Sequence, residues 1–134
     1  MRANELTGAA LDWAVAKCEG ATEEWRRDAP FLWDGVPCIR MDGHDVNYTP
    51  STNWAHGGHI IDREDIAISP LPDGLWRAYA ADGTMWAPHG VEVFNWKRKQ
   101  QGYHPLIAAM RCYVASKLGD EVEIPTELTQ GETT

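Results

Sequence analysis

No stretch of the chain is apolar for long enough to cross a membrane, and its first residues, MRANELTG, lack the hydrophobic segment of a secretion leader. The expectation is a protein of the reducing cytoplasm. Cysteine is scarce. Cys18, Cys38 and Cys112 are odd in number and widely spaced, which argues against a disulfide framework and for thiols packed as small apolar groups. Phenylalanine is nearly absent, two residues against seven tryptophans. Basic residues gather only at Lys97-Arg98-Lys99, too short a run for a nucleic-acid footprint. HExxH, GxSxG, a Walker loop and a dinucleotide fingerprint are all missing, so the chemistries those motifs announce have no support. Internal repeats and low-complexity segments are missing too.

What is present is ordinary globular material: 134 residues, 43% apolar and 24% charged, enough for one domain with its own core. The net charge of −8 is unevenly placed, since residues 120–134 hold five acids and no base. Without those five, 15 acidic residues face 12 basic ones, a balance that makes nucleic acid an improbable partner. Residues 1–128 are expected to form the domain and 129–134 a disordered acidic tail. The tryptophans exceed what a small core comfortably absorbs. One or two are expected on a surface used for self-association, which points to a homodimer.

The strongest element is 105–119, PLIAAMRCYVASKLG. Pro105 suits a first helical position, and Leu106, Met110, Tyr113 and Val114 recur at helical spacing. Ala108, Ala109, Cys112 and Ala115 make a flat second face. Arg111, Ser116 and Lys117 are the residues expected in solvent, and Gly119 supplies the stop. A helix apolar around more than half its girth must be covered on two sides. Residues 5–19 form the second helix, with Leu11, Ala14, Val15 and Cys18 as its stripe and Asn4 or Thr7 as its cap. Residues 21–29 offer another helical turn or two.

Asp34-Gly35 and Asp42-Gly43 are turn signals around an extended run, 36–41. Further strands are expected at 75–80, 84–88 and 91–95, the first two joined by a hairpin at Asp82-Gly83. Residues 44–69 keep neither a sustained helical nor a strand period and read as a long structured loop ending near Ile60, a class that is usually functional or disordered, with a helical turn and then a short strand offered by the following IIDREDIAI. The fold expectation is α+β: two long helices, N- and C-terminal, packed on one small antiparallel sheet.

Three stretches, ELTGAALDWAVAKCEG (5–20), YTPSTNWAHGGHIIDRE (48–64) and PLIAAMRCYVASKLGDEVEIP (105–125), resemble the NinX-like family of small proteins from lambdoid phages and prophages. The family pattern has proline after the glycine pair, where His59 stands here. The resemblance implies phage origin and expression in the host cytoplasm. It carries no residue role over to this chain.

Stretch 48–64 holds the candidate ligand-binding residues. Ser51, Thr52 and Asn53 offer short hydrogen-bonding groups, Tyr48 and Trp54 flat surfaces, and Gly57 and Gly58 close backbone approach. His56 lies among them and Arg63 is the nearest counter-charge. Such a set suits a planar polar molecule, a nucleotide derivative for example. The same residues have a structural explanation, with Ser51 or Thr52 starting a helical turn and the glycines ending it. His56, His59, Asp62 and Glu64 lack the spacing of a metal site, and no metal or cofactor is expected. Ser51 or Cys38 with a histidine, and the carboxylates Asp62, Glu64 and Asp65, make weak catalytic sets. The leading expectation is therefore non-catalytic binding, with a host protein or a nucleotide-like small molecule as target. The alternative is an enzyme that processes such a metabolite.

Overall fold

The computed structural model describes residues 1–80, 85–86, 92–93 and 99–130. A 3-10 turn at Ala3–Glu5 leads into helix α1, Gly8–Cys18, with Thr7 at the N-cap position. Strands β1 (Phe31–Trp33), β2 (Val36–Met41) and β3 (His44–Asn47) follow as an antiparallel meander. Its two-residue turns are the two Asp-Gly pairs. Asp34 (φ 53°) with Gly35 (φ 80°) and Asp42 (φ 54°) with Gly43 (φ 80°) put positive φ at both central positions, the geometry that matches strand twist in tight hairpins. Pro37 sits in β2, whose partners are Leu32 on one side and, by way of its carbonyl, the Tyr48 N–H on the other.

Helix α2 spans Trp54–Arg63. Strands β4 (Ile66–Pro70) and β5 (Trp76–Ala80) form a hairpin, and β8 (Gln100–Gly102) joins the free side of β5. Strands β6 (Met85–Trp86) and β7 (Glu92–Val93) pair with each other. Helix α3, Pro105–Leu118, and the short α4, Thr126–Gln130, complete the described chain.

α3 is the spine. It packs on β4, β5 and β8 and against α1 and α2. Its Leu106 and every residue from Ala108 to Ala115 are buried, so both the large-residue stripe and the alanine face are covered, as its composition requires. α1 packs on α3 and buries Ala10, Leu11, Ala14 and Val15 in the common core, a stripe small enough on average for close backbone approach. His104 caps α3 by accepting the Leu106 N–H at 3.2 Å, Pro105 opens it and Gly119 (φ 87°) ends it.

The single-sheet architecture is overturned. Among the described residues there are four α-helices, not two, and two separate three-stranded antiparallel sheets beside the two-stranded pair. Three physical reasons account for it. The Asp-Gly turns close 31–47 into a sheet of its own. The second sheet is completed non-locally by β8, a three-residue strand without a periodic signature. The third expected strand contributes Met85-Trp86, which pairs with β7 and not with β5. The expected turn at Asp82-Gly83 lies outside the described residues, as does 131–134 of the expected tail. Residues 21–29 form no helix. There the Thr22 hydroxyl accepts the Glu24 N–H at 3.3 Å in a local turn.

Arg111 also departs from expectation. It is only 8% exposed, and its guanidinium donates from Nε to the Leu6 carbonyl (2.8 Å) and from Nη1 to the Gln101 carbonyl (2.7 Å). The long side chain thereby ties the entry of α1 and strand β8 to α3. These carbonyls are what make burial of a cation tolerable there.

Candidate functional site

The expected loop from 44 to near Ile60 is instead strand β3, a turn and much of α2, so most of the candidate stretch 48–64 is a helix and its cap. Thr49 starts a tight turn, its carbonyl accepting the N–H groups of Thr52 (3.1 Å) and Asn53 (2.9 Å). Asn53 then caps α2, its Oδ1 accepting the Ala55 N–H at 2.9 Å. Gly57 and Gly58 sit inside the helix and do not end it. His59 continues it, where a proline would have removed a ladder N–H. The Ser51 N–H donates to Asp12 Oδ1 of α1 at 2.8 Å, deep in the protein, and its hydroxyl is buried beside that bond without a well-formed partner. Burial raises the Asp12 pKa, opposed by the Ser51 N–H.

His56 is 5% exposed and its tautomer follows from its neighbours. The Thr49 N–H donates to Nδ1 at 2.9 Å, so Nδ1 carries the lone pair and Nε2 the proton. Nε2–H points at the Met41 Sδ, 3.1 Å away, a weak acceptor. The ring stacks on Tyr48, centroids 5.3 Å apart. A second proton would have to enter at Nδ1, facing an N–H. Burial, with a smaller contribution from His59, lowers the His56 pKa. The unfolded chain therefore binds a proton near pH 6.5 that the folded chain refuses, and stability falls as pH drops from about 6.5 toward the folded pKa. Relative to His56→Asn, which keeps an acceptor for Thr49, the wild type should lose up to about 1.4 kcal/mol per pH unit in that window. Denaturation series at stepped pH read this difference, and parallel curves for the two proteins would refute the tautomer assignment.

Arg63 is occupied. Its Nη1 and Nη2 reach the two Glu19 carboxylate oxygens at 2.9 and 2.7 Å, and its Nε reaches Glu64 at 3.0 Å. Tyr113 donates its hydroxyl to Glu19 at 2.5 Å beneath the guanidinium, and Lys117 pairs with Glu64 at 3.2 Å. The hydrogen bonds with Glu19 raise the Arg63 pKa, partly opposed by burial. At Glu64 burial opposes ionisation, but Arg63 and Lys117 outweigh it and the pKa ends below its usual value. Two acids at the C-caps of α1 and α2, unfavourable to the helix dipoles on their own, become a clamp joining α1, α2 and α3.

Tyr48, His56 and Arg63 do come together. With Met41, His59 and Glu19 they line a cleft of about 340 Å³ between β2 and α2. The others do not join them: Ser51 is buried against α1, Asn53 is spent on its cap, and Thr52 and Trp54 face solvent. Trp54 leans on His104, centroids 6.0 Å apart. Gly57 packs inward and Gly58 faces outward. Asp12, Glu19 and Met41 are the participants sequence reasoning missed. None has a local signal, since each acts on residues 15 to 44 positions away.

The family model described as Bacteriophage P22, NinX, matches residues 2–117. The chain belongs to the NinX family. No curated protein matches it. The matched span of this phage family takes in α1, both three-stranded sheets, α2 and nearly all of α3, and so contains the clamp and the cleft. Among the described residues of this NinX-family chain, no three His, Cys, Asp or Glu side chains are grouped to hold a metal ion, and no helix is long and apolar enough to cross a membrane. No disulfide links its cysteines, and burial pushes the Cys18 thiol up to about 12. Where one or two surface tryptophans are expected, three are exposed among the described residues: Trp25, Trp33 and Trp54.

Proposed function

We propose that this NinX-family protein acts in the host cytoplasm by non-catalytic binding, and that its target is a host protein. The observation that supports this reading is the outer face of the first sheet. Trp33, 72% exposed, and Val36 are cross-strand partners and so share that face. Cys38 and Arg40 continue it along β2, and Trp25 lies against the Arg40 guanidinium, 5.4 Å from ring centre to carbon. The exposed Arg26 and Arg27, next to Trp25, form no ion pair with the described residues. A strip of tryptophan flanked by arginine suits a protein surface that offers an apolar side chain beside carboxylates. Cross-linking in infected cells would nominate a partner, and titration with that partner purified tests the reading. Trp33→Ala should weaken the complex about 30-fold, as for a central aromatic anchor. A partner that binds Trp33→Ala as tightly as wild type removes the sheet face from the account.

A nucleotide-like ligand has one observation in its favour, the His56 Nε2–H directed at a thioether, which leaves a good donor poorly used at the cleft. Against it, Ser51, Asn53 and Arg63 already bond within the fold. Calorimetric titration across nucleotides, cyclic dinucleotides and ADP-ribose derivatives separates the readings. Micromolar binding lost in His56→Asn would favour the cleft, and turnover of the ligand would make the protein an enzyme.

A further inference from the structure

Gly57 has an internal reason to be glycine and Gly58 has none. A Cβ on Gly58 would meet nothing within 4 Å, and its backbone is ordinary helix. A mid-helix glycine is less stable than alanine, so one without a packing reason inside the protomer calls for one outside it. The rest of the outward face of α2 points the same way. At about 100° per residue it consists of Ala55, Gly58 and Asp62, with Trp54 and His59 at its margins. Lysine and glutamate, the usual solvating residues of an exposed helix face, are missing. Trp54 is 51% exposed and touches His104, while its indole N–H and the Asp62 carboxylate form no hydrogen bond or ion pair with the described residues.

We propose that this face is a self-association surface, and that its occupant is α2 of a second copy crossing antiparallel at Gly58. A two-fold axis through Gly58 sets residue 54 of one copy opposite residue 62 of the other, since both lie four positions from it. The Trp54 indole N–H then donates to the Asp62 carboxylate of the second copy, twice by symmetry. Gly58 against Gly58 lets the axes approach more closely than the usual 8–10 Å or so between packed helices. Another protein could cover the glycine, but the second copy supplies both the donor and the acceptor that the protomer leaves to solvent, at the matching spacing. Tyr103, exposed beside His104, widens the patch. A contact confined to one helix face falls short of the roughly 1,200–2,000 Å² of a standard stable interface, so the dimer is expected to dissociate at micromolar concentration.

Sedimentation equilibrium of the full chain across micromolar concentrations reads the result. The expected outcome is an equilibrium between 15.0 kDa and twice that mass. Gly58→Leu, whose side chain meets open space in one copy, should melt no lower than wild type yet weaken dimerisation by at least about tenfold. Trp54→Ala and Asp62→Ala should each weaken it with little change in melting. Combined, they should cost less than the sum, because they share one hydrogen bond. A single species at 15.0 kDa overturns the proposal, and so does a Gly58→Leu chain that dimerises like wild type. Failure of Gly58→Leu to fold would place a packing partner within the protomer and overturn it too. No host partner enters the measurement, so its failure leaves the sheet-face reading untouched.

Discussion

Gly57→Ala is expected to lower the melting temperature by on the order of 10 °C, although alanine is the better helix former. A Cβ at this position would lie 2.5 Å from the Pro50 carbonyl oxygen and 2.8 Å from Leu106 Cδ2. Neither neighbour can retreat. Pro50 belongs to a turn pinned by the Thr49 carbonyl on one side and by the Ser51 bond to Asp12 on the other, and the Leu106 side chain is fully buried. Relief would have to come from α2 backing away from α3, which would open the packing around Ile60 and pull at the Arg63 clamp. The cost of such overpacking is about 3 kcal/mol, well above the roughly 0.5–1 kcal/mol that alanine returns in helix preference. Gly58→Ala, one residue on, has only the gain and should melt slightly higher. Thermal unfolding of the two variants side by side is the measurement. Equal melting temperatures would mean that α2 does not seat on Pro50 and Leu106.

The same pair of glycines explains why α2 was not legible. Two glycines and two histidines in a run of four are poor helix formers and leave few apolar side chains to mark a buried face, so the stretch reads as a loop. The signal that survives is Asn53 before Trp54, a cap without an obvious helix behind it. α1 and α3 were legible because local rules agree there: in α3 Pro105 opens, Gly119 closes, and the residues between are mostly apolar helix formers in an unbroken run. The Asp-Gly turns were legible for the same reason, since two consecutive positive φ values need those residue types. What local chemistry does not encode is which strands share a sheet. β8 earns its place through register with Trp76, Arg77 and Ala78 of β5, more than twenty positions earlier. The placement of the candidate site residues has a related cause. Ser51, Asn53 and Arg63 have the chemistry of ligand groups, and the fold uses that chemistry on Asp12, a helix end and Glu19. Of the two flat surfaces, Tyr48 lies in the cleft with His56 and Arg63, while Trp54 is on another face of α2.

Ala109→Glu should abolish soluble, folded protein, and its contrast with Arg111 shows why. Both positions lie on α3 and both are buried, yet one already carries a charged side chain at no evident cost. Arg111 is long enough to bring its guanidinium to the Leu6 and Gln101 carbonyls, which are acceptors suited to a cation. A glutamate at 109 is shorter, opposite in charge, and placed on the face lined by Ala108, Cys112 and Ala115, fully buried among small apolar residues. To stay it must take up a proton or push the face open. Burying an unpaired charge and overfilling a close-packed face are among the few mechanisms that cost a domain more than about 4–5 kcal/mol. Against a total stability of about 5–15 kcal/mol, that leaves little or no folded population. Leu118→Glu is the control, since it adds the same charge to the exposed last turn of α3 and should express and melt nearly as wild type. Solubility and far-ultraviolet circular dichroism of the two variants decide the matter. A folded Ala109→Glu chain with unchanged melting would mean that the alanine face of α3 is open to water, and the packing of this helix as the spine would have to be rebuilt.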